Sequence, residues 1–123
     1  MVSFLQTGKG AHLFPPDLVL SNQQAIGLDD TQKTFVRSEV LKAQARFSEL
    51  QFQLQDAVEA LANILKQNPV DEARALAQLE KVLDAEREVK RTQISLMVRI
   101  KNKLTADQQT RLRQLRSEVA SKP

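Results

Sequence analysis

Few residues in this chain have side chains that could do chemistry. The sequence contains no Cys, and His12 is its single His. Disulfides, thiol catalysis and Cys-ligated zinc are therefore excluded. A Ser-His-Asp triad is disfavoured, because His12 is the one His that could take part in it. The carboxylates of Asp84, Glu86 and Glu88 are spaced so that they do not share one helix face. We therefore expect a protein that is not an enzyme and that has no cofactor and no metal site.

Basic residues are concentrated in the second half of the chain. The net charge of 123 residues is +3, but residues 86–116 carry nine Lys and Arg against three acids. This excess indicates an anionic partner, an acidic patch on another protein, or only a solvated helix face. One alternative is therefore a cytoplasmic adaptor or nucleic-acid-binding protein built on a basic coiled coil. Base stacking has little support, because the five aromatic residues are all Phe.

The first half of the chain predicts one short and one long helix. A helix is expected over 17–26, with Gly27 as its C-terminal cap. Asp29 and Gln32 form a capping box that starts a second helix, which meets no Gly or Pro until Pro69. Its apolar residues alternate in steps of four and three, the pattern of a helix–helix seam: Val36, Val40, Ala43, Phe47, Leu50, Leu54, Ala57, Leu61 and Ile64.

A third helix is predicted from a cap at Asn68 or Asp71 to about Asn102. Its middle, residues 84–95, is mostly polar, so we expect this stretch to be exposed or to line a polar groove. Its first half has a regular apolar pattern, formed by Ala73, Leu76, Leu79, Val82 and Leu83.

Two helix starts share one pattern. Residues 104–108 read Leu104, Thr105, Ala, Asp, Gln108, and residues 28–32 read Leu28, Asp29, Asp, Thr, Gln32. In both, a capping box follows a Leu at the position of a hydrophobic staple. The second box starts a short fourth helix.

The predicted fold class is all-α. Four helices of such unequal length do not form a compact four-helix bundle, so we expect a long antiparallel helical hairpin with short flanking helices. Residues 1–13 are expected to be a flexible N-terminal arm, and residues 14–121 a single domain. This arrangement leaves apolar surface uncovered, which predicts a homodimer.

The paired motifs in this helix order resemble the LTxxQ-motif periplasmic proteins over about residues 14–119. That group includes the Spy and CpxP stress chaperones, the zinc-associated protein ZraP and the nickel–cobalt sensor CnrX. The resemblance implies a four-helix hairpin that dimerises into a curved cradle and is exported to the periplasm. The implied activities are ATP-independent binding of unfolded protein, or sensing of envelope or metal stress.

In the metal-sensing relatives, His ligands lie on the short first helix and near the end of the third helix. A Met follows the His of the third helix after one helical turn. Here the short helix carries no His, and the pair on the third helix reads Gln93 and Met97. Neutral Gln is a poor ligand for zinc, nickel and cobalt. His12 lies in the predicted arm, and a site formed by His12, Met97 and a carboxylate such as Glu39 has weak support.

Binding of a client protein fits the residues better. Long cationic side chains cover apolar surface with their methylene stems and attract acidic segments with their charged ends. The predicted client surface is a basic and apolar helical surface for an unfolded or partner protein. It comprises Arg37, Lys42, Arg46, Phe47, Arg87, Lys90, Arg91 and Met97. The alternative is that Phe47 and Met97 are buried and the cations are only solvated.

Location is left open between two alternatives. Residues 1–10 lack the pattern of a cleavable signal peptide, so the chain is either cytoplasmic or a mature, exported form from which the leader has been removed. No apolar run approaches the roughly 20 residues that cross a bilayer.

Overall fold

The computed structural model describes residues 12–121, with side chains described to Glu118, so the predicted arm lies mostly outside the described residues. This range contains four helices and no strand: α1 (Pro16–Ser21), α2 (Asp30–Leu65), α3 (Glu72–Lys103) and α4 (Ala106–Ser121). The all-α prediction is confirmed. The described chain divides into two compact units, unit 1 (12–41 and 95–121) and unit 2 (42–94).

Helix α1 ends five residues earlier than predicted. The side-chain amide of Asn22 donates to the Leu18 carbonyl (2.7 Å), and that of Gln23 donates to the Leu20 carbonyl (2.8 Å). These local bonds satisfy carbonyl groups that a further helical turn would have used, so the helix stops at Ser21. Gly27 has a positive φ (65°), which a glycine adopts without strain.

Both predicted capping boxes are confirmed. Asp29 Oδ1 accepts from the Gln32 backbone N–H (2.8 Å), and Gln32 Oε1 accepts from the Asp29 N–H (3.0 Å). Thr105 Oγ1 likewise accepts from the Gln108 N–H (3.1 Å), and Gln108 Oε1 accepts from the Thr105 N–H (2.9 Å). Each box satisfies donors that a helix N-terminus leaves without an intrahelical partner.

The two boxes also bond to each other through their Gln side chains. Gln32 Nε2 donates to Gln108 Oε1 (2.8 Å), and Gln108 Nε2 donates to Gln32 Oε1 (3.0 Å). The same amide groups donate to the carbonyls of Lys103 (2.9 Å) and Gly27 (3.2 Å), each of which directly precedes the Leu of the opposite motif. The Gln side chains are 7% and 8% exposed. The start of α2 is thus joined to the start of α4 by a reciprocal, buried network.

Unit 1 contains most of the buried core of the described chain. In it, α1 packs against α4, and Phe14 is fully buried beneath the Arg116 guanidinium, 5.1 Å from the ring centroid. Arg116 also donates to the Leu13 carbonyl, and burial lowers the pKa of its guanidinium. Ten of the fifteen buried hydrophobic residues lie in unit 1: Phe14, Val19, Ile26, Leu28, Val36, Leu96, Met97, Ile100, Leu104 and Leu112.

Unit 2 consists of the adjoining parts of α2 and α3, which run antiparallel on either side of the turn at 66–71. Gln78 Nε2 donates across the pair to the Ala57 carbonyl (2.9 Å), and Asp71 Oδ1 caps α3 at the Arg74 N–H (3.1 Å). All nine residues of the predicted α2 seam are buried or half-buried. On α3 the apolar pattern is not fully buried, since Leu76 is 54% and Leu83 38% exposed. Two packed helices bury only the side chains along the line where they meet, and Leu76 and Leu83 lie beside that line.

The paired Gln network predicts a measurable coupling between the two motifs. Gln108→Ala leaves the Gly27 carbonyl without this partner and removes two of the hydrogen bonds of the buried Gln32 amide, which keeps only those to the Lys103 carbonyl and the Asp29 N–H. It should therefore lower the free energy of unfolding by about 2 kcal/mol. Gln32→Ala should have a similar effect. The double variant should lose clearly less than the sum, because the second substitution removes an amide that has already lost its bonds to the other Gln. Urea denaturation followed by circular dichroism measures each value.

The matched control is Gln109→Ala. The Gln109 amide reaches only the Lys101 and Leu104 carbonyls, at 3.4 and 3.3 Å, so its loss should cost about 0.5 kcal/mol or less. Additive losses at Gln32 and Gln108 would contradict the coupling.

Candidate functional site

The structure divides the predicted client surface between the two units. Lys42, Arg46, Phe47, Arg87, Lys90 and Arg91 belong to unit 2, while Arg37 and Met97 belong to unit 1. The six in unit 2 come from facing segments of α2 and α3. Four of their five cationic side chains are on exposed residues, Arg46 being half-buried.

Local ion pairs reduce the positive charge of this surface. Arg46 lies 3.1 Å from Glu49, Arg87 2.7 Å from Asp84, and Arg91 3.8 Å from Glu88, each pair one turn apart on its own helix. The surface is therefore one of mixed charge, whereas the sequence predicted a basic and apolar surface. Over all of unit 2, eight Lys and Arg residues stand against nine Asp and Glu residues.

The two apolar members of the predicted surface are not exposed. Met97 is 3% exposed and lies in the core of unit 1, and Phe47 is half-buried in the α2 seam. The predicted contribution of Met97 to a binding surface is corrected accordingly, because a side chain that is 3% exposed has almost no surface to offer a client. Arg37 lies in unit 1, where it donates to Gln23 Oε1 (3.3 Å).

The exposed apolar side chains of unit 2 lie outside the set of residues predicted for the client surface. Among the described residues, eight large hydrophobic residues are exposed, and six of these lie in unit 2: Phe52, Val58, Leu65, Val70, Leu76 and Leu83. Only five buried hydrophobic residues lie there. The signal in the sequence was the presence of apolar residues next to the heptad seam, which a single partner helix cannot cover.

A shallow groove of about 500 Å³ lies between α2 and α3 near the turn of unit 2. Ala60, Ile64 and Ala77 supply its apolar lining, and Arg74 and Lys81 supply cations. No Asp or Glu is among its lining residues. The groove therefore offers apolar contact next to positive charge, the combination that the sequence predicted for a different set of residues.

The residues considered as metal ligands are not assembled. Gln93 and His12 are exposed, Met97 is buried, and Glu39, whose side chain is 11% exposed, lies 3.1 Å from the Arg99 guanidinium. A carboxylate beside a fixed guanidinium is a weak ligand for a second cation. Among residues 12–121, no group of three or more His, Cys, Asp or Glu side chains is placed to hold a metal ion. These residues do not fit a metal centre of the His-rich kind.

We predict that the Glu39–Arg99 pair contributes more to stability than an exposed ion pair does, because the Glu39 side chain is largely buried. Arg99→Gln removes the cation beside a largely buried carboxylate, so it should lower the free energy of unfolding by about 1–2 kcal/mol. The matched control is Arg46→Gln, which removes a pair of the same 3.1 Å length whose side chains are 40% and 60% exposed. It should change stability by about 0.5 kcal/mol or less. Equal losses in chemical denaturation would show that burial of Glu39 does not matter.

The whole chain was compared with known protein families, curated proteins and solved structures. No helix within residues 12–121 is long and apolar enough to cross a membrane. No curated protein and no solved structure gives a significant match. The profile of the heavy-metal resistance family matches residues 1–111, a span that includes both helix-start motifs. The chain therefore belongs to the heavy-metal resistance family, the family of the LTxxQ proteins that resemble Spy, CpxP and ZraP.

Proposed function

We propose that this protein is a periplasmic, ATP-independent binding protein that holds unfolded or partner polypeptides on unit 2 and acts without catalysis. The observation that carries the proposal is the uneven distribution of apolar side chains. Unit 1 buries them, whereas unit 2 has six of the eight exposed large hydrophobic residues of the described chain. An apolar surface of this kind is typical of a site for another polypeptide.

The charges of unit 2 favour reversible contact with a protein. Exposed apolar side chains contribute affinity through burial, and interspersed cations and carboxylates keep the surface hydrated and select clients by charge. The nearly equal numbers of basic and acidic residues in unit 2 suit varied polypeptides better than the uniform negative charge of a nucleic acid. The groove at Arg74 and Lys81 fits an acidic segment with apolar neighbours.

The location and the assembly are part of the same proposal. Members of this family are typically periplasmic, where no ATP is available to drive client release, so binding must be weak enough to reverse. We also propose a homodimer, because a second copy would cover some of the apolar surface that a two-helix layer leaves open. Analytical ultracentrifugation over a concentration series tests the assembly.

The proposed binding predicts suppression of aggregation. At ratios up to equimolar, the protein should reduce the light scattering of a chemically denatured model protein diluted into buffer without ATP. The variant Phe52→Ser/Leu76→Ser should lose most of this effect, because it removes two of the most exposed apolar side chains of unit 2, which are 67% and 54% exposed.

The matched control is Leu41→Ser/Val98→Ser, which changes two exposed apolar residues of unit 1, 66% and 39% exposed. It should suppress aggregation as well as the unchanged protein does. An inactive unchanged protein would overturn the proposed function. Equal activity of both double variants would place the binding surface outside the exposed apolar residues of unit 2.

The alternative is a periplasmic heavy-metal sensor or resistance protein, which the family description favours. Since the donor set does not fit a metal centre, we expect calorimetric titration with zinc, nickel, cobalt and copper to give at most millimolar affinity. A saturable metal site tighter than about 10 μM would favour this alternative over client binding. Tight DNA binding that is lost steeply with salt would instead support a cytoplasmic basic coiled coil.

A further inference from the structure

A second concavity, of about 560 Å³, lies within unit 1, where the turn after α1 faces the first turns of α2. It is separate from the apolar surface of unit 2. Polar and cationic side chains dominate its lining: Ser21, Asn22, Gln23, Gln24, Lys33 and Arg37. No Asp or Glu lines it.

Within the described part of the chain, the two cations of this concavity, Lys33 and Arg37, have no carboxylate oxygen within 4.0 Å. Five other arginines of the described chain lie within 4.0 Å of a carboxylate: Arg46, Arg87, Arg91, Arg99 and Arg111. Among residues 12–121, neither Lys33 nor Arg37 has such a partner. They are one turn apart on α2, a spacing at which like charges repel.

The polar groups around the cations are held in place. Asn22 and Gln23 donate to carbonyls of α1, at 2.7 and 2.8 Å, which fixes the two amide side chains beside the cavity. Arg37 uses one N–H for Gln23 Oε1 at 3.3 Å. A guanidinium has five N–H donors in a rigid fork, so most remain available for a ligand, together with the Lys33 ammonium.

We propose that this concavity binds a phosphoryl or sulfuryl oxyanion between Lys33 and Arg37. A tetrahedral dianion would accept charge-assisted hydrogen bonds from both cations and remove their mutual repulsion. Two such bonds correspond to a Kd on the order of 1 mM. The volume exceeds that of one inorganic ion and leaves room for an organic substituent. This inference does not depend on the proposed client binding.

The test is an NMR titration of the ¹⁵N-labelled full chain with sodium phosphate and, separately, sodium sulfate. Ionic strength is held constant, because each addition of phosphate or sulfate replaces sodium chloride of equal ionic strength. We expect saturable shifts confined to residues 21–25 and 33–37. Arg37→Gln and Lys33→Gln should each weaken binding about tenfold, the loss of one charge-assisted bond. Because Arg37 is exposed and Lys33 is only half-buried, the variants should melt like the unchanged protein.

The matched control is Arg46→Gln, which changes an arginine on the same helix that is paired with Glu49. It should leave the titration unchanged. Vesicles of phosphatidylglycerol and phosphatidylcholine distinguish a lipid headgroup from a free oxyanion as the source of the phosphoryl group. If vesicles bind with the same dependence on Arg37, the headgroup is the natural ligand. Linear, unsaturated shifts with free anions and no Arg37-dependent vesicle binding would overturn the proposal.

Discussion

Unit 1 depends on one buried hydrogen-bond network, the reciprocal pair of Gln32 and Gln108. Each amide oxygen accepts from the N-cap of its own helix and from the other amide, and each nitrogen also donates to a carbonyl before the opposite motif. Among residues 12–121, no buried side-chain nitrogen or oxygen lacks a partner. Burial of two amides costs stability unless every group is satisfied, so the network holds α2 and α4 in one arrangement.

The two units differ in how they use their apolar residues. Unit 1 has four helix segments around Phe14, Leu112 and Ile100, each fully buried, and it is stabilised by its own core. Unit 2 has one helix pair, and a pair of helices can bury only the seam between them. The exposed side chains of Phe52 and Leu76 follow from that geometry. Buried and exposed apolar side chains are thus concentrated in different parts of the same two long helices.

Membership in the heavy-metal resistance family does not by itself supply a metal site here. Where a carboxylate such as Glu39 could serve as a ligand, Arg99 provides the positive charge instead. Met97, a soft sulfur donor, is buried in the core. The chain therefore combines the helix-start motifs of its family with a donor set that does not fit a His-rich metal centre. Among residues 12–121, Lys33 and Arg37 have no carboxylate within 4.0 Å, which is the basis of the anion site proposed above.

The sequence by itself determined the helices and their caps. Helix starts at Asp29 and Thr105 depend on bonds between residues three apart, and the seam of α2 depends on a repeat of seven residues, so both are local. The early end of α1 was not predicted, since Gly27 was a stronger stop signal than the amides of Asn22 and Gln23. Burial of Met97 and the joining of Gln32 to Gln108 were decided only by the tertiary structure. These features depend on which helix faces meet, and periodicity along one helix does not specify the face presented by another.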